Sequence, residues 1–482
     1  MEQDVFDLIP KFKALRNTLA PVNKLPPEIL SRIPRSLLIR DLIPVTQVCR
    51  YWRTTLTSCG PLWSTINCKR GHEALTCLHR SKGSPIHVSV TKFPDDEVLA
   101  RLSPHIGRIR SLHIQTRWSV AQSVFARFTD PAPNLETLTI ICRPYTAAAG
   151  PVPSTLLTGN LPNLRSLTLQ GFSSDLASFV LPNLTYFELS NVTSPPLSIS
   201  LSNLLAFLER SPLLESVCVD FHGECVRDSP TENVVSLKAL KTLYISGSGL
   251  VGHGDNSLLA RLELPKGVDV TVVLLINGGP NPIAPAIPPH PDRLPFIMGV
   301  KCVHAEILPA HGRCTFRFSG ENGKVKVIAR WPIIHPELDN LVMRSIQSLL
   351  PLSTEGVEEF YIQGYQAPED SYLPALGAFE SLPNLRSVQM VHCDNTVLLR
   401  ALMHPTTPKL KTLKLYLDPE RAISGEGLME LVKYRVSNGA KLEKLSILAP
   451  SVIVPVVDVM ALKPYVGDVE YKMDDSIPDF EY

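Results

Sequence analysis

The sequence has little charge and no long apolar run. Charged residues make up 19% of its 482 residues, and 47 Lys and Arg balance 46 Asp and Glu. This balance argues against binding to nucleic acid or an anionic membrane through overall charge. The most apolar run, Val268–Ile276, is far too short to span a membrane, and the N-terminus lacks the apolar segment of a signal peptide. We therefore expect an intracellular protein, cytoplasmic or nuclear, with no nucleic-acid or membrane partner.

Catalytic and metal-binding signatures are also missing. The ten cysteines form no C-x-x-C pair, so we expect reduced packing residues. No H-E-x-x-H, G-x-S-x-G or P-loop motif is present. Cys68, His72, Cys77 and His79 lie within twelve residues, but their spacing matches no common zinc site. We predict a chain that is not an enzyme and has no metal and no cofactor.

One glycine-rich segment resembles a cofactor-binding motif. Residues Gly247–Gly252 match G-x-G-x-x-G, which in dinucleotide-binding folds follows a strand and opens a helix. Only a brief helical pattern follows here, and the preceding strand, Leu243–Ile245, belongs to the repeats described next. A loop between repeats is the favoured interpretation, and an enzyme that binds a cofactor at this loop is the alternative.

An internal repeat accounts for much of the apolar content, which is 44%. The pattern apolar-x-x-apolar-x-apolar occurs ten times. The copies begin at Ile109, Leu135, Leu164, Leu184, Leu214, Leu240, Val357, Leu385, Leu410 and Leu442. Positions four and six point to the same side of a strand, and position one turns inward from the preceding corner. Because a single copy cannot bury its apolar face alone, neighbouring copies are expected to stack into a solenoid.

This pattern resembles the leucine-rich repeat, although the Asn or Cys that follows the core motif in that family is mostly absent. The alternative is an ordinary α/β domain with similar strands. The outward positions Arg110, Ser111, Arg165, Ser166, Lys241, Thr242, Arg386, Ser387, Lys411 and Thr412 are candidates for a substrate-facing surface. Between residues 240 and 357 the pattern is interrupted. A strand at Val268–Ile276, a Pro-rich loop and a hairpin around Gly320–Gly323 are predicted there.

The Pro-rich loop, residues 278–295, has the spacing of a P-x-x-P ligand at Pro282, Pro285 and Pro288. This spacing would suit an SH3 or WW partner, but a spacer without a ligand is the favoured interpretation. The acidic end from Gly467 onward is expected to be disordered.

Residues 22–67 follow a different, helical pattern. Leu25-Pro26-Pro27-Glu28 predicts a helix start, because Pro suits the first turn and Glu complements the helix dipole. Asp41 is expected to cap a second helix. An apolar stripe at steps of three and four residues is formed by Leu42, Val45, Val48, Cys49 and Trp52.

This segment resembles the F-box. The resemblance is carried by Leu25, Pro26, Glu28, Ile29, Leu30, Ile33, Asp41, Leu42, Val45, Val48, Cys49, Arg50 and Trp52. Leu62-Trp63 resembles a tail that is common in fungal F-box-like proteins. Pro34, directly after Ile33, departs from the family pattern, and we expect it to shorten the first helix and to move Ile33 out of helical geometry.

The resemblance implies binding to the Skp-type linker of a Skp–cullin–F-box ubiquitin ligase, and through it to a cullin–RING ligase. The candidate contacts, or support for them, are Leu25, Pro26, Ile29, Leu30, Ile33, Leu42, Val45, Val48 and Trp52. An apolar helical surface would lie against partner helices. The repeats would bind an unknown protein substrate, and no bond chemistry would fall to this chain. A repeat scaffold or sensor that is not coupled to a ligase is the alternative.

The predicted fold class is α/β: a small N-terminal helical F-box followed by an irregular leucine-rich-repeat-like solenoid. The predicted parts are an N-terminal extension (1–21), the F-box-like module (22–67), a linker and first cap (68–104), a first repeat array (105–261), distorted repeats with the Pro-rich loop and hairpin (262–350), a second array (351–450), and a C-terminal cap with the acidic tail (451–482).

Overall fold

The computed structural model describes most of the chain, in segments. They are residues 2–92, 94–142, 161–171, 176, 179–191, 198–221, 224–226, 234–247, 250, 257–275, 294, 299–308, 313–320, 323–330, 343, 356–366, 372–404, 407–417, 425–449 and 458–473. The chain divides into two compact units, residues 1–188 with 193–197 and residues 189–192 with 198–482. Among the described helices, none combines the length and the apolar character needed to cross a membrane. Pro282, Pro285 and Pro288 lie outside the described residues.

The first unit begins with helices and continues as a parallel sheet. Its helices are α1 (Glu2–Leu19), α2 (Pro27–Leu30), α3 (Ile39–Val45), α4 (Arg50–Ser58), α5 (Gly71–Arg80), α6 (Asp96–Leu102) and α7 (Trp118–Arg127). Its strands are β1 (Thr65–Asn67), β2 (Ile86–Lys92), β3 (Ile109–Thr116), β4 (Thr137–Cys142) and β5 (Ser166–Gln170). These strands pair in parallel and in chain order. Residues 68–104, predicted as a linker and cap, thus supply strand β2 to the sheet.

The second unit contains two runs of parallel strands that pair in chain order. Strand β6 (Tyr186–Asn191) lies where the chain passes between units, and short strands β7 (Ser198–Ser200), β9 (Glu224–Val226), β10 (Val235–Ser236) and β12 (Leu262–Glu263) form two small pairs. Strands β8 (Ser216–Phe221), β11 (Thr242–Ser246) and β13 (Asp269–Leu275) pair in parallel and in chain order. So do β17 (Glu359–Gln363), β18 (Ser387–Val391), β19 (Thr412–Tyr416), β20 (Lys444–Ala449) and β21 (Asp468–Met473). The helices are α8 (Leu201–Glu209), α9 (Tyr372–Glu380), α10 (Asn395–Leu402), α11 (Gly425–Ser437) and α12 (Val459–Leu462).

Strand β21 corrects one expectation. The acidic end was predicted to be disordered from Gly467 onward, but Asp468–Met473 pairs in parallel with β20. The alternation of Val469 and Tyr471 with charged residues is the signal that was overlooked.

The interrupted part of the repeat pattern is bridged by a reversed strand. Strands β14 (Val300–Leu308), β15 (Arg313–Gly320) and β16 (Gly323–Arg330) form an antiparallel meander. Strand β16 pairs in parallel with β13, and β14 pairs in parallel with β17. The spatial order is therefore β13-β16-β15-β14-β17. The predicted hairpin is present, and its strands are members of the sheet.

In all ten copies of the repeat, positions four and six lie on a strand. Positions one, four and six of every copy are buried, and none of these thirty side chains is more than 3% exposed. In the paired strands, equivalent positions lie opposite each other, as Leu112 opposite Leu138 and Val388 opposite Leu413. Burial of such a side chain stabilises a fold by about 1.5–3 kcal/mol, which explains why this pattern sets the register of the strands.

The Pro-Asn corners connect neighbouring copies. The side-chain amide of Asn134 donates to the Gly107 carbonyl at 2.7 Å, and that of Asn163 donates to the Pro133 carbonyl at 2.8 Å. Asn183 repeats the contact with Pro162 at 2.8 Å. Each asparagine thus satisfies a backbone acceptor of the preceding corner, at a turn where proline supplies no donor.

Candidate functional site

The helical module, residues 22–67, is held together by side chains that connect its N-terminal segment to α4. Leu30 and Leu42 are buried, at 0% and 1% exposure. The Tyr51 hydroxyl donates to the Leu25 carbonyl at 2.7 Å, and the Trp52 indole Nε1 donates to Asn23 Oδ1 at 2.6 Å. The segment around Leu25 is therefore fixed against α4.

The predicted linker contacts separate into three groups. Pro26, Ile29, Ile33 and Val48 are exposed; Leu25, Val45 and Trp52 are half-buried; Leu30 and Leu42 are buried. In the free chain the last two support the module from inside. Exposed apolar side chains that the sequence analysis did not select are Phe12, Leu15 and Leu19 of α1, and Val22, Leu37 and Leu38. The spacing of the three α1 residues, at steps of three and four, is the signal that could have identified them.

Three local predictions for this module are wrong. Helix α3 begins at Ile39 with Leu38 as its N-cap, so Asp41 lies in the first turn and is not the cap. Ile33 was expected to leave helical geometry, but it opens the 3₁₀ turn Ile33–Ser36, where the buried Pro34 occupies an early position that needs no N–H donor. The apolar stripe is interrupted, because α3 ends at Val45 and α4 begins at Arg50.

The expected shortening of the first helix is observed. Helix α2 has four residues and ends at Leu30, before Pro34. Pro27 occupies its first turn, as predicted.

The module continues directly into the sheet of the first unit. Its last residues form β1, which pairs with β2. The fully buried Trp63 donates from Nε1 to the Leu56 carbonyl of α4 at 2.8 Å, and the Arg80 guanidinium of α5 lies 4.4 Å from the centre of its ring. Lys82 Nζ donates to the Ser58 carbonyl at 3.1 Å. A partner held by the module would therefore be held in a fixed position relative to this sheet.

A groove of about 760 Å³ opens beside the module. Its apolar side is formed by Leu37, Leu38 and Leu62, and its cationic side chains are those of Arg35, Arg40, Lys69 and Arg70. Among the residues that line it, Glu73 is the one carboxylate, and it accepts from Arg70 at 3.1 and 3.2 Å. A partner that fills this groove would need acidic and apolar groups together.

Four of the five outward cations of the repeats are paired with an acid of the neighbouring copy. Arg110 lies 2.8 Å from Glu136. Corresponding pairs are Lys241 with Glu215 at 2.6 Å, Arg386 with Glu358 at 3.6 Å, and Lys411 with Glu443 at 2.7 Å. The hydrogen bond from Arg110 lowers the pKa of Glu136. These are surface ion pairs between neighbouring copies, and substrate contact by the four cations remains a prediction.

Two of the four clustered metal-capable side chains are buried. Burial and, secondarily, Asp95 raise the pKa of the Cys68 thiol to about 12, and burial raises that of Cys77 to about 11. A protonated thiol is a poor metal ligand. His72 and His79 are exposed, and among the described residues no group of three or more potential ligands converges.

Gly247 is the part of the glycine-rich segment that the structure describes most fully. It follows β11 directly and has a φ of +118°, a conformation that essentially only glycine adopts. A Cβ atom there would overlap the carbonyl oxygen of Phe221 in β8. Glycine is therefore required here, because the backbone of residue 247 lies so close to the backbone of Phe221. Ser248, Gly249, Val251 and Gly252 lie outside the described residues.

A half-buried row of polar side chains crosses the middle of the second unit. Lys326 of β16 lies opposite Arg317 of β15, Arg317 lies opposite His304 of β14, and His304 lies opposite Tyr361 of β17. Arg317 approaches His304 Nδ1 at 3.3 Å and Glu306 Oε2 at 3.3 Å. Burial, followed by Arg317, lowers the pKa of His304 to about 4.

This pKa predicts an acid-sensitive contribution to stability. Between pH 6.5 and 4 the unfolded chain binds a proton at His304 that the folded chain does not, so the free energy of unfolding falls as the pH falls. Arg317 and Tyr361 face the His304 ring, and Glu306 pairs with Arg317. Between pH 7 and pH 4, we expect the free energy of unfolding to fall by about 2 kcal/mol less in His304→Gln than in the wild type. Urea unfolding at both pH values measures this, and equal losses in both proteins would contradict it. Replacement of the exposed His404 by Gln is the control.

Comparison with known families places the helical module. Residues 22–69 match the model of the family described as F-box-like. No curated protein matches the chain. The match covers 48 of 482 residues, about a tenth of the chain, and identifies the helical module as F-box-like. F-box domains in general bind Skp-type linkers. Such a domain suggests, in general terms, an adaptor role in a Skp–cullin–F-box ligase.

Proposed function

We propose that this protein is the substrate-recognition adaptor of a Skp–cullin–F-box ubiquitin ligase. The observation that carries the proposal is the F-box-like match at residues 22–69, in a module that exposes Ile29, Ile33 and Val48. These apolar side chains would lie against the Skp-type linker, and the linker would connect the chain to a cullin–RING ligase. The chain itself would not be an enzyme, and the ubiquitin transfer would belong to its partners.

The strands that follow the module would form a leucine-rich-repeat-like solenoid that holds a protein substrate. Ten strands that carry the apolar motif, and parallel pairing in chain order within each unit outside the β14–β16 meander, support this part of the proposal. Trp63 connects α4 to the segment that leads into β1, so the helical module would be held rigidly against the first strands of the sheet. Neither nucleic acid nor a membrane takes part, and the ligase would act inside the cell.

Capture of a purified Skp-type linker by the full chain tests the proposal. We expect the wild type to bind and the double variant Ile29→Asp/Val48→Asp to bind at least about 30-fold more weakly, because two buried carboxylates would face an apolar partner surface. Both positions are exposed, at 44% and 62%, so the variant should fold. Leu213→Asp, at an apolar position of the second unit that is 49% exposed, is the matched control and should bind normally.

A repeat scaffold without a ligase is the second candidate. The four-residue α2 and the separate 3₁₀ turn at Pro34 favour it, because both reduce the helical surface available to a linker. A wild-type chain that is folded by circular dichroism but does not capture the linker would reject the adaptor and leave the scaffold. Normal capture by the double variant would reject the assigned surface.

A further inference from the structure

One face of the β14–β16 meander, the face that carries Arg313 and Arg317, concentrates positive charge. Arg313, Thr315 and Arg317 are every second residue of β15 and therefore lie on the same face of the strand. Lys326 of β16 lies opposite Arg317. Neighbouring strands lie about 4.8 Å apart, and residues two apart along a strand are separated by about 7 Å. The long side chains of Arg313 and Lys326 can therefore reach the same space above Thr315.

In the described part of the chain, acidic side chains are scarce beside Arg313 and Lys326. Glu306 pairs with Arg317 at 3.3 Å. Within the described part of the chain, no carboxylate forms an ion pair with Arg313 or Lys326. Arg317 and Lys326 lie directly opposite each other, an arrangement in which like charges destabilise a strand pair. Desolvation, followed by Arg317 and Arg313, lowers the pKa of Lys326.

Two buried donors at this place are also unsatisfied. Thr315 is 1% exposed, and its hydroxyl Oγ1 has no hydrogen-bond partner among the described residues. Nε of Arg313 is likewise buried, and the described residues offer it no acceptor. Buried donors without an acceptor are costly, and a ligand that supplies acceptor oxygens removes that cost.

We propose that this face, here called the meander site and formed by Arg313, Thr315, Arg317 and Lys326, binds an oxyanion of the phosphate or sulfate type. Its tetrahedral oxygens accept from the Thr315 hydroxyl and from the guanidinium of Arg313, and its two negative charges offset the opposed Arg317 and Lys326. Glu306 lies opposite Thr315 on β14, so the anion lies on the β16 side of Thr315, beside the buried Ile328. This site is independent of linker binding, because none of its residues belongs to the helical module.

Thermal unfolding of the full chain in phosphate against chloride at equal ionic strength tests the meander site. We expect phosphate at about ten times its dissociation constant to raise Tm by roughly 3 °C, with sulfate acting similarly and acetate not. Acetate separates a dianionic oxyanion from any carboxylate. Broadening of the ³¹P resonance of inorganic phosphate by the protein gives a second, direct readout.

Lys326→Met and Arg313→Gln should abolish the phosphate-dependent rise. In chloride, Lys326→Met should raise Tm slightly, because it removes one of two opposed cations. Lys414→Met is the matched control, since Lys414 of β19 belongs to the same cross-strand row, opposite Gln389, and should keep the full rise. Equal Tm in phosphate and chloride, or an undiminished rise in Lys326→Met, would overturn the proposal. Linker capture is measured separately, so failure of either proposal can be recognised by itself.

Discussion

Replacement of Arg435 by Met should destabilise the second unit by about 3–5 kcal/mol. Arg435 of α11 is only 3% exposed. Its Nη1 donates to the Leu402 carbonyl at 3.4 Å and its Nη2 to the Leu410 carbonyl at 3.2 Å. Nη2 also donates to the Thr407 carbonyl at 3.0 Å, and Nε donates to the Ala440 carbonyl at 3.1 Å. One side chain thus connects the end of its own helix to the segment between α10 and β19.

Methionine fills much of the same volume but donates no hydrogen bond, so each of these carbonyls would lose the donor that Arg435 supplies. Burial lowers the pKa of Arg435 to about 10, which still leaves the group charged at neutral pH. Arg435→Lys should restore little of the loss, because an ammonium group cannot reproduce five donors in one plane. The midpoint and slope of urea unfolding measure the change.

Arg386→Met is the control for Arg435→Met. Arg386 is exposed and pairs with Glu358 at the surface, and such pairs contribute little to stability. Equal destabilisation by both substitutions would show that the buried hydrogen bonds of Arg435 are not what holds this part of the unit.

Gly247→Ala should be the second severe substitution, with a loss of about 3 kcal/mol or more. The added Cβ meets the backbone carbonyl of Phe221, which cannot move without breaking the pairing of β8 and β11. Gly439→Ala is the matched control. Gly439 also has a positive φ, +70°, but no atom within 4 Å of the added Cβ, so about 1 kcal/mol is expected. Thermal unfolding of both variants distinguishes backbone overlap from backbone strain, and equal losses would contradict the overlap.

The strands of the repeats could be predicted because three apolar side chains per copy enter the core. That requirement is local, and it placed Leu112, Leu243 and Leu445 correctly on β3, β11 and β20. The position of β16 between β13 and β15 could not be predicted in this way. Alternation predicts that a strand exists and which face is buried, whereas the choice of neighbour depends on pairings across 50 or more residues.

The helical module was predictable in outline and less so in detail. The spacing located its helices, but it could not show that Leu42 faces inward while Val48 is 62% exposed. The reason is the break between α3 and α4, after which the helical phase starts again. Arg435 gave no signal at all, because a single arginine in an amphipathic helix is ordinarily a surface residue.

The order β13-β16-β15-β14-β17 has a consequence for how the chain is made. A ribosome delivers β13 first, but its neighbour β16 ends 55 residues later, at Arg330. At about 5–20 residues per second, β13 is without that partner for roughly 3–11 s. During this interval it presents unpaired amide and carbonyl groups, to which another nascent chain could add. A chain that ends between residues 275 and 323 would lack β16, so the edge of β13 would stay unpaired. We expect such fragments to aggregate.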